Sequence, residues 1–414
     1  AFDSWSKTSG VVRARYLYAI ARDIQKHHRL LAVLESLDNG KPIRESRDID
    51  VPLLARHFYY YAGWAQLMET ELREYQPVGV VGQIIPWNFP LLMLAWKIAP
   101  AIAMGNTVVL KPASYTRLSA LLFAEIVAEA GLPAGVVNVI TGSSSAGSMI
   151  VTHPDVDKIA FTGSVEVGKE IMRGAATTLK RVSLELGGKS PNIVFADADL
   201  ETAAKFALGG IFFNQGEMCT AGSRIFVEES GYDQFMSVLR GRAQKMVAGD
   251  PLNPKTRLGS LISREHLDRV LNYVAIGKQE GASVAIGGER IGTKGYFMKP
   301  TVLEGVTNEM RVAQEEIFGP VASIIKFKDM DEGVREANNS QFGLAAAIWT
   351  RDIKKAHRIA RRVKAGTVWI NTISTTDNAV PFGGYKSSGF GRELGRAAID
   401  LYTETKTVWV DLNQ

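Results

Sequence analysis

Short apolar runs rich in valine and isoleucine alternate with longer amphipathic segments between residues 78 and 188. The runs with the composition of strands are GVVGQII, NTVVLKPAS, GVVNVITG, DKIAFTGS and KRVSLELGG. Because strands that alternate with helical segments form parallel sheets covered on both faces, this region predicts an open α/β domain. Ligands of such sheets bind beyond the carboxyl ends of the strands, at the turns into helices.

Helical periodicity dominates residues 11–70, and it predicts two or three amphipathic helices. In one of them apolar side chains recur at spacings of three and four, at Leu30, Val33, Leu34 and Leu37. We expect these four side chains to form the packed face of that helix.

A second series of strands and helices begins at Asn192 and runs to GTVWIN at 366–371. This series predicts a second domain with a sheet of its own. The C-terminal TKTVWVDL, residues 405–412, alternates like a further strand. A length of 414 residues fits two or three domains of roughly 150 residues each.

Composition argues against several classes of partner. Hydrophobic residues make up 46% and charged residues 22%, as in a soluble globular enzyme. The net charge of +5 is scattered and not gathered in a basic stripe, so we expect no nucleic-acid partner. No run of 18 uncharged apolar residues occurs, so we expect no membrane span. The nearest approach, residues 89–105, contains Lys97 and two prolines and predicts a buried helix.

Cys219 is the only cysteine, so an internal disulfide is excluded and a reducing cytoplasm is the expected compartment. A lone structural cysteine is usually a small buried hydrophobe. Here the polar residues 214–216 end a helical pattern just before Cys219, which places the thiol in a loop. Backbone N–H groups of such a loop suit a nucleophile that needs oxyanion donors. The residues alone leave both interpretations open, and the six histidines lack metal-ligand spacing, so we expect no metal.

Three polar residues stand at predicted turns or strand ends. Asn88 lies between Pro86 and Pro90, which restrict its backbone and suit either an oxyanion donor or an ordinary turn. Lys111 ends a predicted strand, where it either binds ribose hydroxyls or lies at the surface. Glu185 precedes two glycines that permit an unusual turn, and it is either solvated or functional.

The turn FTGSVEVGKE matches part of a phosphate-binding P-loop, but Glu170 stands where the loop needs a hydroxyl for Mg²⁺. A nucleotide-dependent kinase or ATPase is therefore disfavoured. The dinucleotide fingerprint G-x-G-x-x-G is also absent. The turn still aims backbone N–H groups and a helix start at an anion, such as a pyrophosphate.

Seven segments occur in one order along the chain: PWNFP, KPAS, FTGS, LELGGK, NQGEMC, EEIFGPV and PFGGYKSSGFGRELG. In order and spacing they closely resemble the signature segments of the NAD(P)-dependent aldehyde dehydrogenase superfamily. The resemblance covers essentially the whole chain. It implies oxidation of a small-molecule aldehyde to a carboxylic acid through a cysteine thiohemiacetal and thioester, with hydride transfer to NAD(P)⁺.

The resemblance also implies the roles of individual residues. Cys219 is similar to the family's nucleophile, Glu185 to its general base and Asn88 to its oxyanion donor, which acts with the Cys219 N–H. The resemblance places Lys111 with these catalytic residues, and it implies that Lys111 also contacts the adenosine ribose of the cofactor. Glu316 corresponds to the glutamate that holds the nicotinamide ribose.

The implied cofactor contacts and substrate tunnel are larger sets. The expected cofactor-binding residues are Ile84, Pro86, Trp87, Lys111, Ser114, Gly142, Phe161, Thr162, Gly163, Ser164, Leu186, Gly187, Glu316 and Phe318. The expected tunnel residues are Phe89, Met93, Trp96, Phe213 and Phe382. Because the tunnel set is apolar, a medium aliphatic or aromatic aldehyde suits it.

The resemblance implies an α/β fold with a Rossmann-like cofactor domain at 1–188, helical at first and then an open parallel sheet. This domain also receives part of 385–400, and a second α/β catalytic domain spans 189–384. Residues 65–76 and 401–414 form a shortened oligomerisation element, since the segment between Trp64 and Pro77 is shorter than usual in the family. We expect a homodimer, in which the C-terminal strand is exchanged.

Other departures from the family pattern leave alternatives. Ser114 replaces a glutamate that many NAD-preferring members carry, so we expect NADP to be tolerated as well as NAD. A catalytically weak or inactive scaffold on the same fold, which could be part of a longer chain, is the rival from another class. A CoA-acylating dehydrogenase is the rival among enzymes, and the presence of Glu185 favours hydrolysis over it.

Overall fold

The computed structural model describes residues 1–412, and two mostly parallel sheets organise it. A helical layer precedes both sheets and packs beside the first. Its helices are α1 (Phe2–Trp5), α2 (Gly10–Lys26), α3 (His28–Asn39), α4 (Ile43–Glu45), α5 (Val51–Gln66) and α6 (Met68–Glu71), with a π-helical turn over Ser46–Asp50. Helix α2 begins where the Ser9 side chain accepts a hydrogen bond from the Val12 N–H, and it lies against α5.

The first sheet has six strands and is parallel except at one edge. Its strands from this part of the chain are β2 (Val80–Ile84), β3 (Thr107–Lys111), β4 (Val137–Val139), β5 (Lys158–Thr162) and β6 (Arg181–Glu185), preceded by the separate β1 (Tyr75–Pro77). The intervening helices are α7 (Pro90–Ala103), α8 (Leu118–Glu129), α9 (Ser144–Thr152) and α10 (Val165–Ala176). Ile84 lies beside both Lys111 and Phe161, and Thr162 beside Glu185. The carboxyl ends of four neighbouring strands therefore meet at one edge.

The second sheet has seven strands and follows the first along the chain. Strands β7 to β14 are Pro191–Val194, Arg224–Glu228, Ser283–Ile286, Thr301–Glu304, Val321–Phe327, Phe342–Gly343, Ala345–Trp349 and Thr367–Ile370, and all except β12 (Phe342–Gly343) belong to this sheet. The order in the sheet is β14-β13-β7-β8-β11-β10-β9, and only β9 is antiparallel to its neighbour. Its helices α11 to α16 are Leu200–Phe212, Tyr232–Ala243, Arg264–Gln279, Arg311–Gln314, Met330–Asn338 and Ile353–Arg362.

The last part of the chain returns to the first sheet. The strands β15, β16 and β17 are Tyr385–Lys386, Gly389–Phe390 and Thr403–Thr405, and α17 is Ala397–Leu401. Strand β15 pairs with β12, β16 pairs antiparallel with β6 at Gly389↔Glu185, and β17 pairs with β1. The C-terminal segment therefore closes over the strand end that carries Glu185.

The predicted α/β fold class and the two strand series are confirmed. The predicted buried helix at 89–105 is also confirmed, since every residue of α7 is buried, including Lys97. Within residues 1–412, none of the helices combines the length and apolarity that a bilayer crossing requires.

The predicted packed face of the third helix is wrong. Leu30 and Leu37 of α3 are 52% and 60% exposed, whereas Glu35 and Ser36 are fully buried. The reason is that polar partners lie on the buried side. A carboxylate oxygen of Glu35 accepts a hydrogen bond from the Leu91 N–H (3.3 Å), and Ser36 shares one with another serine hydroxyl.

The predicted C-terminal strand at 405–412 is also largely wrong. Strand β17 ends at Thr405, where its antiparallel partner β1 begins at Tyr75, and residues 406–412 lie outside any strand. Beyond Thr405 a hydrogen bond from the Lys406 N–H to the Glu74 carbonyl at 3.1 Å extends the contact by one residue, without a further strand. Val408, Trp409, Val410 and Leu412 are 71–92% exposed. The final two residues of the expected element 401–414 lie outside the described residues.

Candidate active site

A cavity of about 720 Å³ opens at the carboxyl edge of the first sheet and is closed by the second. Cys219, Glu185 and Asn88 all line it, together with Glu316 and Phe318. These residues are up to 230 positions apart in sequence, since Asn88 follows β2 and Phe318 precedes β11. The fold therefore gathers a thiol, a carboxyl group and a carboxamide around one space.

The turn before Cys219 has an unusual backbone. Helix α11 ends at Phe212, and Asn214, Gln215 and Gly216 then adopt left-handed φ values of 47°, 55° and 75°. Such a conformation costs a non-glycine residue about 1–3 kcal/mol and persists only where neighbours hold it. Here the Asn214 N–H donates to the Glu45 carboxylate at 2.9 Å. The strained turn therefore places the thiol at the cavity wall.

Asn88 is fixed to that same turn. Its side-chain Nδ2 donates to the Glu217 carbonyl at 2.8 Å, and its own carbonyl accepts from Asn214 Nδ2 at 2.7 Å. The preceding Trp87 carbonyl accepts from Asn39 Nδ2 at 2.8 Å. Because the backbone carbonyl and the side-chain amide of Asn88 are both hydrogen-bonded, the carboxamide has little freedom beside Cys219.

Glu185 is a buried carboxyl group without a fixed partner. Neither of its oxygens accepts or donates a hydrogen bond within the described chain. Burial raises its pKa well above the usual range, and the nearby Glu393 raises it further. Glu393 itself pairs with Lys97 Nζ at 2.6 Å, and that amine also donates to Thr162 Oγ1 at 2.6 Å. A carboxyl group that is unpartnered and has a raised pKa suits proton transfer.

The thiol is neutral in this arrangement. Burial raises the pKa of Cys219 to about 12, and the negative charges of Glu316 and Glu185 contribute in the same direction. The backbone N–H groups of Thr220 and Cys219 oppose this effect. Because the thiol keeps its proton, a base must remove that proton when the sulfur adds to the substrate.

The other half of the cavity fits a dinucleotide. Glu316 Oε1 accepts from the Gly188 N–H at 3.0 Å, and a Cβ at Gly187 would lie 2.0 Å from the same carboxylate. Only glycine therefore permits this approach. The Trp87 and Phe318 rings form an edge-to-face pair with centroids 5.3 Å apart.

Helix α10 points its N-terminus into the same region. Its cap, Ser164, accepts from the Val167 N–H at 3.3 Å, and Gly163 and Ser164 both line the cavity. The free N–H groups and positive end of a 12-residue helix suit a pyrophosphate. These donors agree with the anion site that the FTGS turn predicts.

The family model described as aldehyde dehydrogenase family matches residues 1–408. The chain belongs to the aldehyde dehydrogenase family. It is 48% identical over 422 residues to human retinal dehydrogenase 2, covering 99% of this chain and 82% of that protein. It is 48% identical over 417 residues to an aldehyde dehydrogenase of Agaricus bisporus, covering 98% of this chain and 83% of that protein.

Solved structures agree with this assignment. The NAD⁺ complex of a Bacillus cereus aldehyde dehydrogenase superposes with a TM-score of 0.96 at 48% identity, covering 99% of this chain and 86% of that one. The predicted family is therefore confirmed, as are aldehyde oxidation and the use of a nicotinamide dinucleotide. This aldehyde dehydrogenase is an oxidoreductase, as predicted.

Most residues predicted for the site of this aldehyde dehydrogenase share the cavity. The predicted tunnel residues Phe89, Met93, Trp96, Phe213 and Phe382 all line it. The predicted cofactor contacts that also line it are Pro86, Trp87, Thr162, Gly163, Ser164, Leu186, Gly187, Glu316 and Phe318. Within residues 1–412, no group of three or more histidine, cysteine, aspartate or glutamate side chains forms a metal site.

The remaining predicted contacts lie away from the thiol. Ile84, Lys111, Ser114, Gly142 and Phe161 do not line the cavity. Lys111 ends β3, and its Nζ donates to the Pro112 carbonyl at 3.1 Å. Lys111 therefore does not share the cavity with Cys219 as the catalytic grouping expected, and its cofactor contact stays a prediction.

Sequence reasoning missed the residues that support the site. Lys97 interrupts an apolar helical pattern, and a lysine within a helix predicted to be buried was the available signal. Glu393 lies in the glycine-rich segment 381–395, where the local sequence does not distinguish it from its neighbours. The sequence around Glu45 does not indicate its role, because its hydrogen-bond partner Asn214 is 169 positions away.

Proposed function

We propose that this enzyme oxidises an apolar aldehyde to a carboxylic acid with Cys219 as nucleophile, Asn88 as oxyanion donor and Glu185 as base. The supporting observation is the single cavity that these three side chains share with the dinucleotide region. Each group has the chemistry that its role requires: a sulfur, a rigid N–H donor and an unpartnered carboxyl group.

In the first step the Cys219 sulfur forms a bond to the aldehyde carbon. The thiol proton passes to the ionised fraction of Glu185, which is the unpartnered base in the cavity. Negative charge moves to the carbonyl oxygen, where Asn88 Nδ2 and the Cys219 N–H donate to it. Asn88 must exchange its present hydrogen bond to the Glu217 carbonyl for this one.

In the second half of the reaction, bound NAD(P)⁺ supplies the hydride acceptor, and a thioester remains on Cys219. Glu185 first releases the thiol proton to solvent. It then takes a proton from water, whose oxygen attacks the thioester carbon, and it returns this proton to the sulfur when the carbon–sulfur bond breaks. The carbon–sulfur bond breaks, the carboxylic acid leaves and the sulfur is restored. Trp87, Phe318 and Glu316 would hold the nicotinamide side, and the start of α10 would hold the pyrophosphate.

NADP serves the enzyme as well as NAD in our proposal. Ser114 is exposed, its Oγ donates to the Gly142 carbonyl at 3.1 Å, and Arg117 donates to the Ser114 carbonyl at 3.0 Å. A 2′-phosphate near Lys111 would meet no carboxylate from Ser114 and would find a cation nearby. Measured kcat/KM with both cofactors tests this, and complete rejection of NADP contradicts it.

We also propose that the two sheets belong to two domains with different roles. The cofactor domain comprises residues 1–188 with part of 385–400, and the catalytic domain comprises 189–384. Residues 65–76 and 401–412 carry the contact of a homodimer. A cytoplasmic location is supported by the single cysteine, because a nucleophilic thiol must stay reduced.

The function is tested by NAD(P)H absorbance with a panel of aldehydes, using wild type and Cys219→Ala. We expect turnover by wild type, loss of turnover in the variant and formation of the free carboxylic acid without added coenzyme A. Turnover that persists in Cys219→Ala would contradict the covalent route. A product that appears only when coenzyme A is present would contradict the role of Glu185 in hydrolysis.

A further inference from the structure

One face of helix α11 forms a wall of the cavity. Phe206, Gly209 and Gly210 of this helix, and Phe213 directly after its end, follow one another at spacings of three, one and three, and all four line the cavity. Because residues at i, i+3, i+4 and i+7 share one side of a helix, these positions form a continuous strip. The strip has a phenyl ring at each end and two glycines between them.

The two glycines are not equivalent. A Cβ at Gly210 would lie 2.6 Å from Ile373 Cδ1, so the Ile373 side chain already covers that position. A Cβ at Gly209 would have no heavy atom within 4 Å apart from its own helix and chain neighbours. Gly209 therefore leaves an open recess between the rings of Phe206 and Phe213.

The surroundings of this recess are apolar. Phe213 stacks on Phe89 with ring centroids 6.1 Å apart, and Trp96 meets Phe382 edge to face at 5.0 Å. Phe206 contacts Trp349 at a centroid distance of 5.7 Å. An aromatic or branched hydrocarbon beside Gly209 would therefore be enclosed by rings that are already held in place.

We propose that Gly209 determines the substrate class of this enzyme, which is an apolar aldehyde with a bulky ring or branched body. The body occupies the recess at Gly209, while the carbonyl reaches Cys219. This inference rests on the proposed function and adds a specificity-determining position to it. A narrow aldehyde leaves the recess unfilled, so contacts there add nothing to its binding free energy.

The test compares Gly209→Phe with a matched control. Gly241 is also an exposed helical glycine, in α12, and a Cβ there would meet no heavy atom within 4 Å. Gly241→Phe therefore reproduces the same chemical change away from the cavity. Propanal and 2-naphthaldehyde serve as the narrow and bulky substrates, and kcat/KM is measured for each.

Wild type should prefer 2-naphthaldehyde. In Gly209→Phe we expect kcat/KM for 2-naphthaldehyde to fall by about tenfold or more, with propanal changed by less than about twofold. Gly209→Val should lie between wild type and Gly209→Phe, and Gly241→Phe should match wild type for both substrates. Thermal unfolding of all variants checks that each one folds.

Three outcomes would overturn the inference while the proposed function stands. These are a preference of wild type for propanal, an equal loss for both substrates in folded Gly209→Phe, and an unchanged rate with 2-naphthaldehyde in that variant. Absence of turnover with every aldehyde would instead contradict the proposed function itself.

Discussion

Asn88 links the loop after β2 to the turn that precedes Cys219. Its carboxamide points to the thiol turn, while its carbonyl accepts from Asn214 on that turn. Loss of the carboxamide removes an oxyanion donor, which in comparable sites costs about 3 kcal/mol of barrier. For Asn88→Ala we therefore expect kcat to fall by roughly a hundredfold or more, with a smaller change in aldehyde KM.

The control for this variant is Asn39→Ala. Asn39 supports the Trp87 carbonyl without facing the reacting atoms, so its loss should reduce kcat less than Asn88→Ala does. Steady-state kinetics at saturating cofactor, together with thermal unfolding, separates the two effects. Near-normal turnover of folded Asn88→Ala would remove Asn88 from the mechanism.

Glu45 holds the thiol turn from the helical layer. Its carboxylate accepts the Asn214 N–H, and burial raises its pKa to about 8. An unfolded chain ionises this group above its ordinary value of 4.5, whereas the folded chain keeps it neutral until about pH 8. Wild-type stability therefore falls as pH rises between those values.

Glu45→Gln keeps an acceptor oxygen and does not titrate. We expect it to retain turnover and to be more stable than wild type at pH 8, by an amount on the order of 2–4 kcal/mol. The difference should vanish near pH 4.5, which urea unfolding at both pH values can check. Glu45→Leu lacks the acceptor and should lower kcat. Equal kcat in the leucine and glutamine variants would show that the Asn214 contact does not position the nucleophile.

The sequence was informative about residues that act within short segments. Cys219, Glu185 and Asn88 each stand in a local pattern of glycine, proline or polar breakers, and the structure brings them to one cavity. Glu45 and Glu393 act through partners 169 and 296 positions away. A single sequence contains no signal for such pairs, because only folding sets their distance.

Elements were predicted best where a continuous apolar run marks burial on every side, as in β5 and α7. The strands of the first sheet and helix α7 follow their apolar pattern. Helix α3 does not, because it buries Glu35 and Ser36 against polar groups and exposes Leu30 and Leu37. Hydrophobic periodicity therefore fails where a helix packs against hydrogen-bonding partners.

Close approach between helices α2 and α5 depends on Gly10. A Cβ at Gly10 would lie 2.0 Å from the Ala65 carbonyl oxygen, whereas a Cβ at Gly63 in α5 would meet no heavy atom within 4 Å. Gly10→Ala should therefore force the helices apart and destabilise the fold by about 1–3 kcal/mol. Gly63→Ala should stabilise it by about 0.5–1 kcal/mol, because glycine is unfavourable inside a helix.

Chemical unfolding of both alanine variants measures this difference. The two substitutions add the same methyl group to the same helical layer, so each is the control for the other. Equal effects would mean that helix propensity alone decides the outcome, and that the α2–α5 contact adapts to the added methyl.

At the scale of the whole molecule, the second sheet completes a cavity whose floor is the carboxyl edge of the first. Asn88 and Gly163 follow the ends of β2 and β5, and Glu185 ends β6, while the thiol and Glu316 come from the second series. Neither sheet alone holds both the thiol and its base. Catalysis therefore depends on the fixed relation between the two layers, which the C-terminal strand β16 reinforces by pairing with β6.

The C-terminal segment leaves apolar side chains in water when the chain is alone. Val408 and Val410 are 74% and 71% exposed and alternate as strand residues do, yet residues 406–412 form no strand. A second copy that supplies a strand edge would satisfy the backbone and cover these side chains. On this basis Val408→Asp/Val410→Asp should convert a dimer of about twice 45.2 kDa into a monomer.

Light scattering at several protein concentrations measures this change. Leu179→Asp is the matched control, since Leu179 is 91% exposed and lies in a turn after helix α10. It removes an equally exposed apolar side chain and should leave the dimer intact. Because each copy contains both sheets and the whole cavity, monomers should retain aldehyde turnover. A wild-type protein that is monomeric at every concentration would contradict the exchange of C-terminal strands, and a dimer that survives both aspartates would place the interface elsewhere.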